Sequence, residues 1–314
     1  MAFQATSHPG LMHHYAKKLV AFEHLPSSST TPPANTIIFT GGLSDGLFTL
    51  PYTRLIAAAL PSTWSYTETL ITSSYTGWGT GSLGRDADEI AQLVTYVRAQ
   101  RPGGKIVLMG HSTGCQDTVR YISGPIVAGP RPAVDGVILQ AGASDREALL
   151  HVFPAERVAH SVTVAEEMIA QGKGEEILPS DVTGNFFDTP CCARRWLSLA
   201  SPRHDGEDDY FSSDLTDAQL QQTFGRFPPG SPLCLLYSGA DQYVPSFVDK
   251  ELLLKRWKDT VTKNGGVVDE QSSVVVKGAS HNLNGDDDAV VNSLVERVVG
   301  FVKRVESGEL VKSA

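Results

Sequence analysis

The sequence predicts an α/β fold with a mostly parallel central sheet, and three features of the chain lead to this prediction. Short apolar runs of strand length alternate with stretches of helical periodicity from residue 36 to residue 140. Glycine-rich or polar turns follow several of these runs directly. The alternation resumes after residue 228. Repeats of strand, helix and strand favour right-handed crossovers and parallel pairing, with helices on both faces of the sheet.

Seven segments have the composition of strands in this sheet. Each is short, rich in β-branched or aromatic residues, and bounded by turn residues. The predicted strands cover residues 18–23, 36–40, 66–71, 105–109, 134–140, 233–238 and 273–277.

Five segments between or after these strands have helical periodicity. The helix over 86–100 is the clearest, because Ile90, Leu93, Val94 and Val97 share one face. The predicted helices cover residues 52–60, 86–100, 115–122, 248–260 and 288–306.

The length of the chain, 314 residues with 41% hydrophobic side chains, suits one large domain that carries an insertion. Residues 144–228 interrupt the alternation, because they are rich in helix formers and polar loops and contain no convincing strand. We therefore predict a single domain over 1–314, with 144–228 as a mainly helical cap over one end of the sheet.

Charge and cysteine content limit the partners and the compartment. The formal net charge is −9, which disfavours nucleic acid and anionic membrane surfaces as partners. No stretch has the length of a membrane span, and the N-terminal segment lacks the apolar core of a signal peptide. Four cysteines in so long a chain are expected to be reduced thiols. A cytoplasmic location is the prediction, and nothing in the residues indicates an oligomeric state.

The pentapeptide GHSTG, residues 110–114, is the central chemical signal. It follows the strand KIVLM and precedes a helix, which is the context of a nucleophile elbow. There the serine occupies a sharp turn with strained dihedral angles, and the flanking glycines let the chains pass closely. We predict Ser112 as a nucleophile at the N-terminus of the helix. His111 is expected to point away from the site and to serve packing.

A serine nucleophile needs a base that is oriented by a third group, and the expected chain order is serine, acid, histidine. Asp241 follows the strand at 233–238, and His281 follows the strand at 273–277. The carboxyl ends of parallel strands meet at one edge of the sheet, so these side chains can converge on Ser112. Asp145, just after the strand at 134–140, is the alternative acid.

The oxyanion of an acyl-transfer reaction needs two hydrogen-bond donors. The backbone N–H of Thr113 is one candidate, because it follows the nucleophile directly. The other is the N–H of Leu43 in the loop GGLSDG after the strand at 36–40. Further residues are candidates for substrate contact, although large aromatic side chains are more often simply core. These candidates are Ser44, Asp45, Tyr75, Trp78 and Trp196.

Four segments together resemble a fungal family of α/β-hydrolases that includes intracellular siderophore esterases. The segments are GHSTGCQD, GGLSDG, SGADQYVP and GASHNL, and they lie between Phe39 and Leu283. The resemblance implies the α/β-hydrolase fold and Ser112, Asp241 and His281 as a catalytic triad. It also implies hydrolysis of ester bonds in fusarinine-type hydroxamate siderophores, which helps to release iron inside the cell.

The sequence therefore predicts a serine ester hydrolase that needs no cofactor and no metal ion. Its substrate is expected to be a small-molecule ester, with a siderophore as the candidate that the resemblance indicates. Two alternatives use the same triad: an amidase or peptidase, and a generic hydrolase of small esters or lactones. A third alternative is a ligand receptor on a hydrolase scaffold.

Overall fold

A computed structural model of the chain describes residues 7–25, 31–126, 129 and 131–311. Residues 1–6, the start of the N-terminal segment that lacks a signal-peptide core, lie outside the described residues. In the described part, no helix has both the length and the apolar content that crossing a membrane requires.

Within the described residues, eight strands form one sheet. The strands are β1 (Gly10–Ala16), β2 (Leu19–His24), β3 (Asn35–Thr40), β4 (Trp64–Thr69), β5 (Ile106–His111), β6 (Gly136–Gln140), β7 (Leu233–Ser238) and β8 (Val274–Val276). They are ordered β1-β2-β4-β3-β5-β6-β7-β8 across the sheet. Neighbours from β4 to β8 run parallel, whereas β2 is antiparallel to both β1 and β4. The sheet is mostly parallel, as predicted.

In the part of the chain that the structure describes, ten α-helices surround or follow the strands. The helices are α1 (Tyr52–Ala59), α2 (Leu83–Gln100), α3 (Thr113–Ser123), α4 (Asp145–Val152), α5 (Ala155–Ala170), α6 (Ser180–Thr183), α7 (Ala193–Ala200), α8 (Asp217–Thr223), α9 (Lys250–Lys263) and α10 (Asp288–Ser307). Short 3₁₀ helices cover Tyr75–Thr80, Phe186–Asp188 and Phe224–Arg226.

Two apolar cores cover the two faces of the sheet. Residues of α2, α3 and α9, including Leu93, Val119 and Trp257, pack on one face. Residues of α1 and α10, including Ile56 and Phe301, pack on the other. Because both faces are covered, the central strands β3, β5, β6 and β7 are buried along their whole length.

The edge strand β1 was not expected from the sequence. Its segment GLMHHYA is polar for a strand, and residues on one side of it are exposed. Edge strands tolerate such composition because only one of their sides pairs. The buried side chain of Glu23 in β2 links this hairpin to the rest of the fold. It accepts hydrogen bonds from His13 and Arg101.

Residues 144–228, all of them described, contain the helices α4 to α8 and no strand of the sheet. Side chains of α5 and α7 form a third apolar cluster with Trp78 and Leu149. Farther along, Phe211, Leu220 and Phe224 belong to the core on the α2 face of the sheet. The segment thus packs partly on itself and partly on the main core, and its role as a cap stays a prediction.

Candidate active site

Ser112 lies in the turn between β5 and α3, with φ 52° and ψ −125°. A positive φ is strained for a residue with a Cβ, and the neighbouring glycines make room for the turn. A Cβ on Gly114 would lie 2.1 Å from the carbonyl oxygen of Thr40. Only glycine fits there. The turn places the serine at the N-terminus of α3, as the nucleophile-elbow motif predicts.

The structure brings Ser112, His281 and Asp241 together in one hydrogen-bonded chain. His281 Nε2 lies 2.8 Å from Ser112 Oγ, and His281 Nδ1 lies 2.7 Å from Asp241 Oδ2. Both the imidazole and the carboxyl group are buried. In this arrangement the imidazole can accept the hydroxyl proton while the carboxylate keeps the other ring hydrogen on Nδ1.

The loop after β7 holds the acid and the base in place. The second carboxylate oxygen of Asp241 accepts a hydrogen bond from the Tyr243 backbone N–H at 2.9 Å. The side chain of Gln242 accepts a hydrogen bond from the His281 backbone N–H at 3.1 Å. The Tyr243 ring lies edge-on to the imidazole, with ring centroids 4.8 Å apart. These contacts fix the positions of the Asp241 carboxylate and of the His281 imidazole.

The alternative acid, Asp145, does not contact His281. Its Oδ2 accepts a hydrogen bond from Gln116 Nε2 at 2.9 Å, at the start of α4. Burial, and then the negative charge of Asp208, raise the pKa of this carboxyl to about 8. The geometry therefore favours Asp241 over Asp145 as the partner of the imidazole.

The loop after β3 lies close to Ser112. A Cβ on Gly42 would lie 2.5 Å from the Cβ of Ser112. Asp45 closes this turn, because its Oδ2 accepts the Gly42 N–H at 2.9 Å and its own N–H bonds the Gly42 carbonyl. Within the described part of the chain, the backbone amides of Leu43 and Thr113 donate to no protein atom. Both amides are thus available as oxyanion donors.

A pocket of about 140 Å³ opens beside Ser112 and His281. Its wall combines the loop after β3, the start of α4 and the 3₁₀ helix Phe186–Asp188. The lining residues besides the serine and the imidazole are Leu43, Asp45, Leu50, His111, Ala143, Ser144, Asp145, Ala148, Phe186, Phe187, Tyr243 and Asn282.

Of the five residues predicted to contact substrate, only Asp45 lines this pocket. Ser44 accepts a hydrogen bond from the indole N–H of Trp78, which is itself buried. Trp196 is also buried, and its indole N–H donates to Ser161 of α5. Tyr75 is exposed, and its hydroxyl accepts the Leu47 N–H. The expectation of substrate contact at these four positions disagrees with this placement.

His111 was expected to point away from the site, and this was wrong. The ring is buried, lines the pocket, and lies with its centroid 5.0 Å from that of His281. Burial, and then the neighbouring His281, lower the pKa of His111 to about 4, so this ring is neutral at neutral pH. Its Nδ1 bonds Gln140 of the adjacent strand. In the structure, His111 ends β5, two residues beyond the predicted strand, and Gln140 ends the neighbouring strand β6.

No group of three or more metal-ligating side chains occurs among the residues that the structure describes. The acidic side chains of the loop at 204–209 form ion pairs with neighbouring basic side chains. Asp208 binds the buried guanidinium of Arg195, and Asp209 binds His204 and Arg146.

Comparisons with known proteins agree with the family resemblance that the sequence motifs indicate. The family model described as "Protein of unknown function (DUF1749)" matches residues 1–303. Fusarinine C esterase sidJ of Aspergillus fumigatus is 40% identical over 339 residues, covering 94% of this chain and 95% of the relative. Esterase AN6793 of Emericella nidulans is also 40% identical, covering 95% of this chain and 93% of the relative.

The solved structure of the siderophore hydrolase EstB from Aspergillus fumigatus is similar over 96% of this chain and all of its own, with 38% identity and a TM-score of 0.80. A carboxyl esterase from Bacillus coagulans, 15% identical with a TM-score of 0.62, shares the fold. These findings confirm the α/β-hydrolase fold and the resemblance to the fungal esterases.

Proposed function

The chain belongs to this family of fungal α/β-hydrolase esterases, and we propose that it hydrolyses carboxylic esters through Ser112, His281 and Asp241. The observation that carries the proposal is the continuous hydrogen-bonded chain from Asp241 Oδ2 through the imidazole to Ser112 Oγ, with distances of 2.7 and 2.8 Å. These hydrogen-bonded side chains lie at the carboxyl ends of three strands, next to two backbone amides for which the described residues provide no acceptor.

The proposed reaction is acyl transfer in two steps. His281 takes the proton of the Ser112 hydroxyl as the oxygen attacks the ester carbonyl, and then donates this proton to the departing alcohol. Asp241 stabilises the imidazolium that forms between these events. The amides of Leu43 and Thr113 bind the oxyanion, and each such donor is worth about 10²–10³ in rate. Water, activated by the same imidazole, then releases the acid and restores the serine.

The substrate that we propose is an ester of a fusarinine-type hydroxamate siderophore. The relatives named fusarinine C esterase and siderophore hydrolase support this choice, because each matches the chain over nearly its full length. The pocket at Ser112 has a volume of about 140 Å³. Pockets that enclose a drug-sized ligand measure about 300–1,000 Å³, so only the ester and its adjacent groups enter. The rest of a siderophore would lie outside the opening of the pocket.

We also propose a cytoplasmic location. All four cysteines are unpaired and buried, which suits a reducing compartment. Burial raises the pKa of the Cys191 thiol to about 12 and the pKa values of Cys115 and Cys234 well above their usual range. These thiols are therefore protonated and unreactive at neutral pH.

The test is to incubate the purified protein with a fusarinine-type siderophore, with and without bound iron, and to detect released monomers by mass spectrometry. Ser112→Ala, which removes only the hydroxyl, is the matched control. We expect release by the wild type and none above background by the variant. Cleavage of small esters without release of monomers would overturn the siderophore assignment alone. Equal release by the variant would overturn the role of the serine.

A further inference from the structure

The imidazole of His111 presents an unprotonated nitrogen to the pocket. Its Nδ1 lies 2.5 Å from Gln140 Oε1, which also accepts the Tyr52 hydroxyl at 2.9 Å. The amide nitrogen of Gln140 faces the His281 carbonyl oxygen at 3.4 Å, and an oxygen in its place would oppose that carbonyl. The Gln140 oxygen can only accept, so the ring hydrogen of His111 lies on Nδ1 and Nε2 is an acceptor.

A carboxylate stands beside this nitrogen. Asp45 Oδ2 lies 3.9 Å from His111 Nε2, which is too far for a hydrogen bond. The carboxylate is held by the Gly42 N–H and the Thr49 hydroxyl, each at 2.9 Å. His111 is 2% exposed, and among the described residues its Nε2 has no hydrogen-bond partner. The pocket wall thus holds two fixed acceptors that converge on one space.

The spacing and the charge of the two acceptors determine which chemical group can bind between them. One atom can bond both acceptors only if it donates two hydrogens. A primary ammonium group, a primary amide and water do so, and of these three only the ammonium group is charged, whereas a hydroxyl or a secondary amide donates only one hydrogen. Within the described chain, no lysine or arginine lines this pocket, so no fixed cation neutralises the carboxylate. A cationic donor therefore complements both the geometry and the charge.

We propose that Asp45 and His111 bind a primary ammonium group of the substrate next to the ester that Ser112 attacks. This inference rests on the proposed ester hydrolysis at Ser112. It makes Asp45 a specificity-determining residue, whereas the triad determines the reaction. Acylation of the amine would remove both the charge and the second hydrogen, so it would remove the preference.

The experiment compares phenyl esters that differ only at the nitrogen. One series uses alanine, N-acetylalanine and 2-methylpropanoate, in which a methyl group replaces the ammonium. A second series uses β-alanine, N-acetyl-β-alanine and butanoate, which moves the nitrogen one carbon farther from the ester. The readout is kcat/KM, corrected for hydrolysis in buffer, and the selectivity is its ratio for the ammonium ester over the methyl ester.

The variant is Asp45→Asn, in which the side-chain oxygen can still accept the Gly42 N–H. We expect its selectivity to fall about tenfold or more in at least one series, as for the loss of a close charge pair. Asp145→Asn is the matched control, because it makes the same acid-to-amide exchange at the other acid of the same wall. Thr49→Val is the second control, because it loosens Asp45 but keeps its charge. Both controls should retain the selectivity within about twofold.

Three results would overturn the inference. The first is a wild type without preference for the ammonium ester in either series. The second is an Asp45→Asn variant that loses activity equally on all esters, which would indicate a role in loop shape or the binding of water only. The third is a loss of selectivity in Asp145→Asn instead. If the wild type cleaves no ester, the proposed function fails, and the inference fails with it.

Discussion

The candidate active site consists of two regions that differ in how the chain builds them. Ser112, Asp241 and His281 follow β5, β7 and β8, so parallel strands of one sheet place them at the same edge. The opposing wall of the pocket includes Phe186 and Phe187, which belong to the segment inserted between β6 and β7. The first region is positioned by backbone hydrogen bonds, and the second by side-chain packing.

From this difference we expect the strand-end residues to determine the reaction and the wall residues to determine the choice of substrate. The three strand ends are held by a sheet with both faces covered, so their geometry changes little when a wall residue is replaced. The part of the inserted segment around α5 and α7 packs on its own cluster, so this part can vary without disturbing the sheet. We therefore expect substitutions at the strand ends to change kcat for every ester, and substitutions in the wall to change the choice among esters.

The largest expected effect distinguishes the two candidate acids. Asp241→Asn leaves the shape of the side chain but removes the charge that stabilises the imidazolium, so kcat should fall about ten-thousandfold. Asp145→Asn contacts neither His281 nor Ser112 and should change kcat less than about threefold. Steady-state kinetics on one small ester provide the measurement. Comparable losses in the two variants would contradict the assignment of Asp241.

The next effect tests the approach of the loop after β3 to the nucleophile. The added methyl group in Gly42→Ala would lie 2.5 Å from the Cβ of Ser112 and must displace the loop. Displacement of the Leu43 amide should lower kcat about 10²–10³-fold, as for the loss of one oxyanion donor. Gly103→Ala at a remote turn, where no atom lies within 4 Å of the added Cβ, is a stability control that reports only backbone strain. Unchanged kcat in Gly42→Ala would exclude the loop from the reaction.

The smallest expected effect tests the part of the pocket wall that residues 144–228 supply. Phe187 lines the pocket and is 41% exposed, so Phe187→Ala removes a contact without opening the core. We expect KM for a bulky ester to rise roughly fivefold, from the loss of about 1 kcal/mol of apolar contact. KM for an acetate ester, which is too short to reach the ring, should stay unchanged. A loss of kcat on both esters would show that the wall also supports the chemistry.

The same difference explains what could be predicted from the residues. The order of serine, acid and histidine after apolar strands was readable because strand ends in a parallel sheet have a common edge. His111 escaped the prediction because its role depends on Gln140, a neighbour supplied by another strand. The edge strand β1 was missed because pairing on one side places little demand on composition.

Predictions for the aromatic residues were less accurate for a physical reason. Trp78 and Trp196 were candidates for the pocket, yet both are buried in the cluster beneath the inserted helices. Phe186 and Phe187, which line the pocket, have no feature in the sequence that distinguishes them from core residues. Apolar side chains face a cavity or a core according to tertiary packing alone, and neither spacing nor composition records that choice.

The central claim is that Ser112 is the nucleophile, and covalent labelling tests it most directly. A fluorophosphonate ester phosphonylates an activated serine hydroxyl with release of fluoride, and mass spectrometry of the digested protein locates the adduct. We predict one adduct per chain, on the peptide that contains Ser112, and none in Ser112→Ala or His281→Ala. An adduct on another residue, or equal labelling of His281→Ala, would contradict the claim.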